Sequence, residues 1–508
     1  MKTNILAFIL LSLIVSALSD RAGVKTVIKL DTVVEAERKF LPKFLNQIGD
    51  VDVPDQEFSF DAKLFTVHAY LTHIHFSIKN LQAQNINIAF LEPNIIRINA
   101  ALISGAGSFD IRFKAGFVSE TDHVNVNVNR VDCQADVVLT QTESSIAGKF
   151  LPSGYVKDIS FPVFDFDFDI HGSLIAGIVD LVKSMIKNKI RDEIVSSLIS
   201  NIENESGKAI EAAVKKLPVY FNVNDIGLDV DVSLTTPPVI KNNYLILNAN
   251  GAVVNHNVPE SLNPPFPIPV NLPDYDESGK NAQVFLTEYS VNTALNTLFL
   301  SHLLEYRVKS DDIPSDSPFK LDTTWLNTIF TGIVDVYGKD KKVDILCMAS
   351  SNPVVSINDI LHSDCRAVCS LLVLLDSGDY DQALKFETSI HADGKASLKE
   401  LGIVQAEIIS MQLTDSRIIE TKVKDATVAG IEMVFNFTAK IMIPVVNAKY
   451  LNNITVNIPS FQGVVFTNSF MNALNGYAEV EVTPEFTNAF GENILKEISN
   501  RNDLFLSL

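Results

Sequence analysis

Two histidines two residues apart, His73 and His75, and three alternating aspartates, Asp165, Asp167 and Asp169, are the residues of this 508-residue chain whose types and spacing could do chemistry. On a strand, residues i and i+2 share a face, so the imidazoles could hold a transition metal and the carboxylates a calcium ion. Neither set is complete. The histidines have no third ligand in view, and the aspartates read more simply as the solvated face of a strand whose other face is Phe164, Phe166, Phe168 and Ile170. No metal and no cofactor is expected. The chain has no Gly-x-Ser-x-Gly elbow and no His-Glu-x-x-His motif, so no catalytic residue is assigned and a secreted lipase is the weaker reading from another class. Four cysteines, Cys133, Cys347, Cys365 and Cys369, allow three fully paired connectivities. If residues 365–373 form a strand, Cys365 and Cys369 lie roughly 13 Å apart and cannot bond. Cys347 can pair with either of them, and Cys133 is left free.

The elements around these residues follow from periodicity. Leu30, Val34, Leu41, Phe44, Leu45 and Ile48 predict an amphipathic helix, although Pro42 interrupts it and Glu37 falls inside its apolar stripe. The period then changes to two. Ile86, Ile88 and Phe90 alternate with polar residues, as do Phe109, Ile111, Phe113 and Phe117 beyond an expected turn at Gly105 and Gly107. In "HVNVNVNRVDCQADVVL" the apolar residues change phase near Asn129 and Arg130, which predicts a β-bulge.

Residues 173–216 contain no proline and carry Leu174, Ile178, Val182, Ile186, Ile190, Ile194, Leu198 and Ile202 at steps of four. Four residues rotate about 400°, so the stripe advances about 40° per step and spirals around the helix. Such a helix needs a curved wall or an elongated apolar ligand. "PESLNPPFPIPVNLP", residues 259–273, holds six prolines and cannot join a ladder along its length. Beyond it the programme recurs: a helical segment through Val291, Leu295, Leu298, Phe299 and Leu303, then alternating strands, then a second long helix through Val428, Ile431, Phe435, Thr438, Met442 and Val445. Helix, sheet, helix occurs on each side of the prolines, an internal pseudo-repeat.

Charge bounds the partners. The formal charge is −20, with 22 basic against 28 acidic residues in 21–258 and 18 against 32 in 259–508, so neither half is a basic module. Nucleic acid is excluded as a partner. Lys2, the apolar run from Ile5 to Val15 and Ala17-Leu18-Ser19 predict a signal peptide over residues 1–19, and hence a secreted, extracellular protein. Sequons at Asn204, Asn436 and Asn453 are candidate glycosylation sites.

"AGV" near the mature N-terminus, "FDFDI" before the long helix, "NPPFPIPV", "LTEYSVNTA", "DDIPSDSPFKLDTT" and "NIPSFQGV" occur in an order that resembles one family across nearly the whole mature chain. It is the family of bactericidal/permeability-increasing protein, lipopolysaccharide-binding protein and the plasma phospholipid and cholesteryl ester transfer proteins. The resemblance implies an α+β boomerang: two coiled antiparallel β-barrels, each wrapped around a long helix, joined by a central sheet and the proline-rich linker. The implied division is 20–235 for the first barrel, 236–280 for the central sheet and linker, 281–490 for the second barrel and 491–508 for a tail. It also implies an apolar lipid pocket in each barrel. Two features depart from the family: residues 173–216 lack the helix cysteine of its N-terminal disulfide, and Lys63, Arg97, Arg112 and Lys114 do not make the lysine-rich tip of its endotoxin-binding members.

Stripe position and resemblance together place Val34, Leu41 and Phe44 against Ile178, Val182 and Ile186 in the first pocket. Leu295, Leu298 and Phe299 are expected to face Ile431, Phe435 and Met442 in the second. The expected function is binding and transfer of phospholipid or another acyl lipid by a monomer that exchanges it at a membrane or lipid-particle surface. Recognition of lipopolysaccharide or another microbial lipid in innate immunity is the alternative, and a structural adhesion protein is a further reading.

Overall fold

The computed structural model describes residues 21–48, 50–62, 65–79, 81–171, 179–214, 217–222, 227–269, 272–275, 279–400, 403–451, 454–455 and 464–486. The expected signal peptide, the sequon at Asn453, Ile178 and the tail 491–508 lie outside the described residues.

The first sheet is built from the alternating runs. Strand β1 (Val24–Lys29) leads into helix α1 (Leu30–Ile48), which continues through Pro42. There follow β2 (Asp50–Val53), β3 (Gln56–Ala62), β4 (Phe65–Lys79), β5 (Ile86–Leu91), β6 (Ile95–Ala115), β7 (Val118–Glu143), β8 (Phe150–Phe168) and helix α2 (Val179–Val214). The sheet runs β2-β4-β6-β7-β8, with β3 paired to β4 and β5 to β6. Its inner face is apolar, with Leu71, Phe76, Phe109, Ile111, Phe113, Val124 and Phe166 fully buried. The bulge read from the phase change is present, for the register of β7 on β8 slips between Val128 and Arg130.

Three expectations are corrected here. Gly105 and Gly107 make no turn; both lie inside β6, paired with β4 and β7. A side chain at Gly107 would stand 2.9 Å from the Phe76 ring, so the glycine serves close packing. Phe117 does not continue the buried stripe, because the chain turns at Gly116 (φ +58°) and leaves Phe117 fully exposed. His73 and His75 are separated by a register break after Thr72, where His73 takes a left-handed backbone (φ +50°), and each meets a different carboxylate.

Helix α2 answers the spiral. Val182, Ile186, Ile190 and Ile194 have no exposed surface, and the helix packs on both β8 and β2, the two edges of the sheet. The sheet is therefore open where a closed barrel was expected: β2 and β8 do not pair, and α2 bridges them with a stripe that turns as the wall curves. The three aspartates are tied to the same helix. Lys183 reaches Asp167 and Asp169 at 3.0 and 3.3 Å, and Lys187 reaches Asp165 at 3.3 Å. Because β8 is an edge strand, the lysine stems wrap over the Phe168 and Phe166 rings to the far face. The spacing matches: four helical residues rise about 6 Å and two strand residues about 6.6 Å.

Glu37 interrupts the apolar stripe of α1, as its position predicts. Burial pushes its carboxyl from 4.5 up to about 7. The charged form is thus disfavoured in the folded chain, and stability falls as pH rises from about 4.5 through 7. Glu37→Gln should leave stability at pH 4 unchanged and raise it at pH 8 by on the order of 2 kcal/mol, the side chain being only partly buried. Urea midpoints at the two pH values measure this; an equal difference at both would show that ionisation of Glu37 is not responsible.

Strands β9 (Tyr220–Asn222), β10 (Asp229–Asp231), β11 (Val239–Lys241), β12 (Tyr244–Ala249), β13 (Val253–Val254) and β14 (Ala282–Thr287) surround the proline-rich stretch. The central sheet, β11-β12-β1-β14-β23-β22, draws strands from both ends of the chain, with β22 (Val464–Leu474) and β23 (Tyr477–Phe486) completing it. The prolines lie across this sheet without joining it. Ala22 donates its N–H to Pro269 O at 3.2 Å, and the buried Lys25 ammonium donates to Pro273 O at 2.7 Å.

Helix α3 (Glu288–Leu300) opens the second half. There follow β15 (Glu305–Val308), short helices at Thr323–Leu326 and Ile333–Tyr337, β16 (Val343–Ala349), β17 (Val354–Asn358), β18 (Ile360–Leu374), β19 (Tyr380–Glu400), β20 (Ile403–Thr421), helix α4 (Val428–Val446) and β21 (Ile454–Thr455). These strands form a second open sheet, β15-β16-β18-β19-β20-β21, with β17 on β18. Cys347 and Cys369 are direct cross-strand partners in it and form a disulfide, which settles the pairing that the sequence left open. Cys133 and Cys365 are free thiols, and burial pushes Cys133 up to about 12.

Candidate functional site

Under the C-terminal half of α4 lies a cavity of about 240 Å³. Tyr306 and Val308 of β15, Ile345 and Cys347 of β16, Ile390 of β19, and Ile408 and Met411 of β20 form its sheet wall. Phe435, Thr438, Ala439, Met442, Ile443 and Val446 of α4 form the other wall. The helix leans on β20, and its small residues Thr438 and Ala439 leave a wedge toward β15 and β16.

The wall carries no ionisable acid or base of use in proton transfer, and local geometry explains why. Strand alternation sends Arg307 and Asp344, neighbours of the lining residues, to the opposite face, where they pair at 2.9 Å. The Thr438 hydroxyl donates to Val434 O at 2.8 Å, and the Cys347 sulfur is held in the disulfide. Tyr306, on the edge strand, is 38% exposed and forms part of the rim. A site of this kind rewards hydrocarbon, at about 0.8 kcal/mol per buried methylene.

Of the residues singled out by sequence, Phe435 and Met442 line this cavity. Ile431 stands one turn earlier, beside a void of only about 10 Å³, where it packs against Phe330, Ile345 and Leu371. Leu295, Leu298 and Phe299 do not meet α4 at the cavity. The buried face of α3 is polar instead: Asn292 exchanges hydrogen bonds with Val355 of β17, while Val253 of β13 donates to Thr293 Oγ1 and accepts from Thr297 Oγ1. The backbones of those short strands need side-chain partners, and α3 turns its hydrophilic stripe toward them. In the first half, Val34, Val182 and Ile186 join one core. Leu41 and Phe44 belong to α1, and Ile178 is outside the described residues. Asn204 and Asn436 are exposed on α2 and α4.

The sheet wall was missed by sequence reasoning. Tyr306 opposes Cys347 and Val308 opposes Ile345, so alternation would have found these residues once the pairing of β15 with β16 was known.

Residues 224–484 match the family model described as the LBP / BPI / CETP family, C-terminal domain, just over half of the chain. Among curated proteins, lipopolysaccharide-binding protein of Mus musculus is 21% identical over 326 residues, 64% of this chain and 65% of the relative. BPI fold-containing family C protein of Mus musculus is 25% identical over 272 residues, 51% of each chain. In both cases the match spans less than two thirds of the relative's length. A crystal structure of lipopolysaccharide binding protein superposes with a TM-score of 0.50 at 15% identity, covering 92% of this chain and 99% of that one. The likeness establishes a shared α+β, sheet-rich fold.

Proposed function

Because the chain belongs to the LBP / BPI / CETP family, we propose that it is a secreted, non-enzymatic carrier that holds an acyl chain of a phospholipid or similar lipid beneath α4. The observation that carries this reading is the cavity whose wall, apart from the Thr438 hydroxyl that is bonded to Val434 O, is aliphatic, sulfur-bearing or aromatic and free of charged groups. The chain of the lipid enters the wedge, and its headgroup stays at the rim near Tyr306. Burying about ten methylenes is worth on the order of 8 kcal/mol, so release into water is slow and exchange takes place at a membrane or lipid particle. The same reading extends to the first half, where Val34, Leu41, Phe44, Ile178, Val182 and Ile186 would surround a second chain.

Recognition of lipopolysaccharide has the name of one relative in its favour. The cations of the first half weigh against it: Arg97 is held by Asp136 through two 2.7 Å hydrogen bonds, and Arg112 lies over the Tyr70 ring. Organic extraction of the purified full chain followed by mass spectrometry is the test. Recovery of about one diacyl lipid per chain supports the carrier; a chain that stays lipid-free after incubation with phospholipid vesicles rejects it. Lipopolysaccharide displacing that lipid, with a preference that weakens in salt, would favour the second reading.

A further inference from the structure

Phe435 borders two spaces at once. It lines the cavity of about 240 Å³ beneath the C-terminal half of α4, and it also lines the void of about 10 Å³ beneath the turn before it. Ile345 of β16 lies under both, opposed by Val308 of β15 on one side and by Leu371 of β18 on the other. Its β-branched side chain has little rotamer freedom there, so the floor is fixed and the phenyl ring of the helix is the partition. Beyond the ring the space ends. Phe330, Leu371, Phe386, Ile431 and Val434, which complete the void, are each 3% exposed or less. The other end is the rim, where Tyr306 opposes Cys347, two residues along the edge strand from the pair of Val308 and Ile345.

We infer that Phe435 is the length stop of the acyl site, and that this site discriminates in favour of a single chain of medium length. A methylene needs somewhat less than the roughly 30 Å³ share of a water molecule in the liquid, so about 240 Å³ holds on the order of ten of them. Thr438 and Ala439 leave room for the chain, and Phe435, one turn earlier on the same helix, takes that room away. A chain that enters at the rim and runs toward Ile431 meets the ring over Ile345. Methylenes beyond that length stay outside the wall, gain nothing from it, and add nothing to retention. The void behind the ring admits no chain by itself, being about the size of one water-sized probe. It joins the cavity once the ring is removed, and the six ring carbons give up space for about four further methylenes.

The length stop rests on the carrier reading, and the two fail in different ways. Full-length protein freed of lipid is titrated calorimetrically with saturated monoacyl phosphatidylcholines of about eight to about sixteen carbons, below their micellar concentrations, with Ala439→Trp as the blocked reference that reports binding elsewhere in the chain. Wild-type affinity should rise about fourfold per methylene up to about ten carbons and then level off. In Phe435→Ala the levelling point should move to about fourteen carbons, so that the gain from ten to fourteen is on the order of a hundredfold where the wild type shows none. Phe435→Leu, which keeps an apolar side chain in the core, should move it by about one or two carbons and covers the case in which the alanine variant does not fold. An affinity that climbs without a break to the longest probe, or a break that stays in place in a folded Phe435 variant, overturns the length stop and leaves the carrier standing. A wild type that binds no probe beyond what Ala439→Trp binds rejects both.

Discussion

Replacing Ala439 by Trp should leave the chain folded and empty the second half of lipid. Ala439 is 7% exposed at the middle of α4 and faces the 240 Å³ cavity together with Thr438 and Met442. An indole there occupies the wedge between helix and sheet that the small side chain leaves open. Loss of room for about five methylenes removes on the order of 4 kcal/mol of chain burial, close to a thousandfold in retention. Filling a void in a well-formed wall does not by itself destabilise, so the thermal midpoint should be equal or slightly higher. Lipid recovered per chain by extraction is the measurement. Unchanged recovery from a folded variant would place the bound lipid elsewhere and remove the cavity under α4 from the mechanism.

The second large effect concerns stability. Phe166→Ala should cost about 3–5 kcal/mol, read as a lowered urea midpoint. Phe166 has no exposed surface; its ring lies 6.0 Å from Phe76 and 5.9 Å from both Phe164 and Phe168, with the Lys187 ammonium 5.4 Å from its centroid. Removing it opens a hole where β8, β4 and α2 converge. Ala in place of both Lys183 and Lys187 should cost far less, about 1 kcal/mol or under, because the ion pairs with Asp165, Asp167 and Asp169 sit in solvent at the sheet edge. If the lysine changes cost as much as the phenylalanine change, the first half is held by its charged seam rather than by its aromatic ladder.

These two sites differ in how far they were legible. Phe164, Phe166 and Phe168 alternate with aspartates, and a period of two puts them on one face whatever the rest of the chain does. The steps of four along α2 likewise called for a curved wall or an elongated apolar ligand, and the helix packs on β8 and β2, the two edges of the sheet. The change of phase predicted a bulge near Asn129 or Arg130, and the register of β7 on β8 slips between Val128 and Arg130. Expectations failed where the decisive neighbour was distant in sequence. Gly107 reads locally as a turn and serves instead to admit the Phe76 ring from another strand. The apolar residues of α3 read as a pocket wall, yet the helix presents Asn292, Thr293 and Thr297 to the backbones of β13 and β17.

Local pattern by itself determined the element types, the buried face of most long strands and the spiral of α2, and the order of short motifs pointed to the family. Tertiary structure alone decided that both sheets stay open, that Cys347 bonds Cys369, that the aspartates of β8 reach lysines around a sheet edge, and that a cavity exists under α4. The reason is physical. Periodicity records which side of an element avoids water, and this is a property of neighbours a few residues apart. Whether two such sides close on each other or leave a space depends on strand pairing across as much as 260 residues, as between β1 and β14, and on where a small residue such as Ala439 falls against a wall drawn from four different strands.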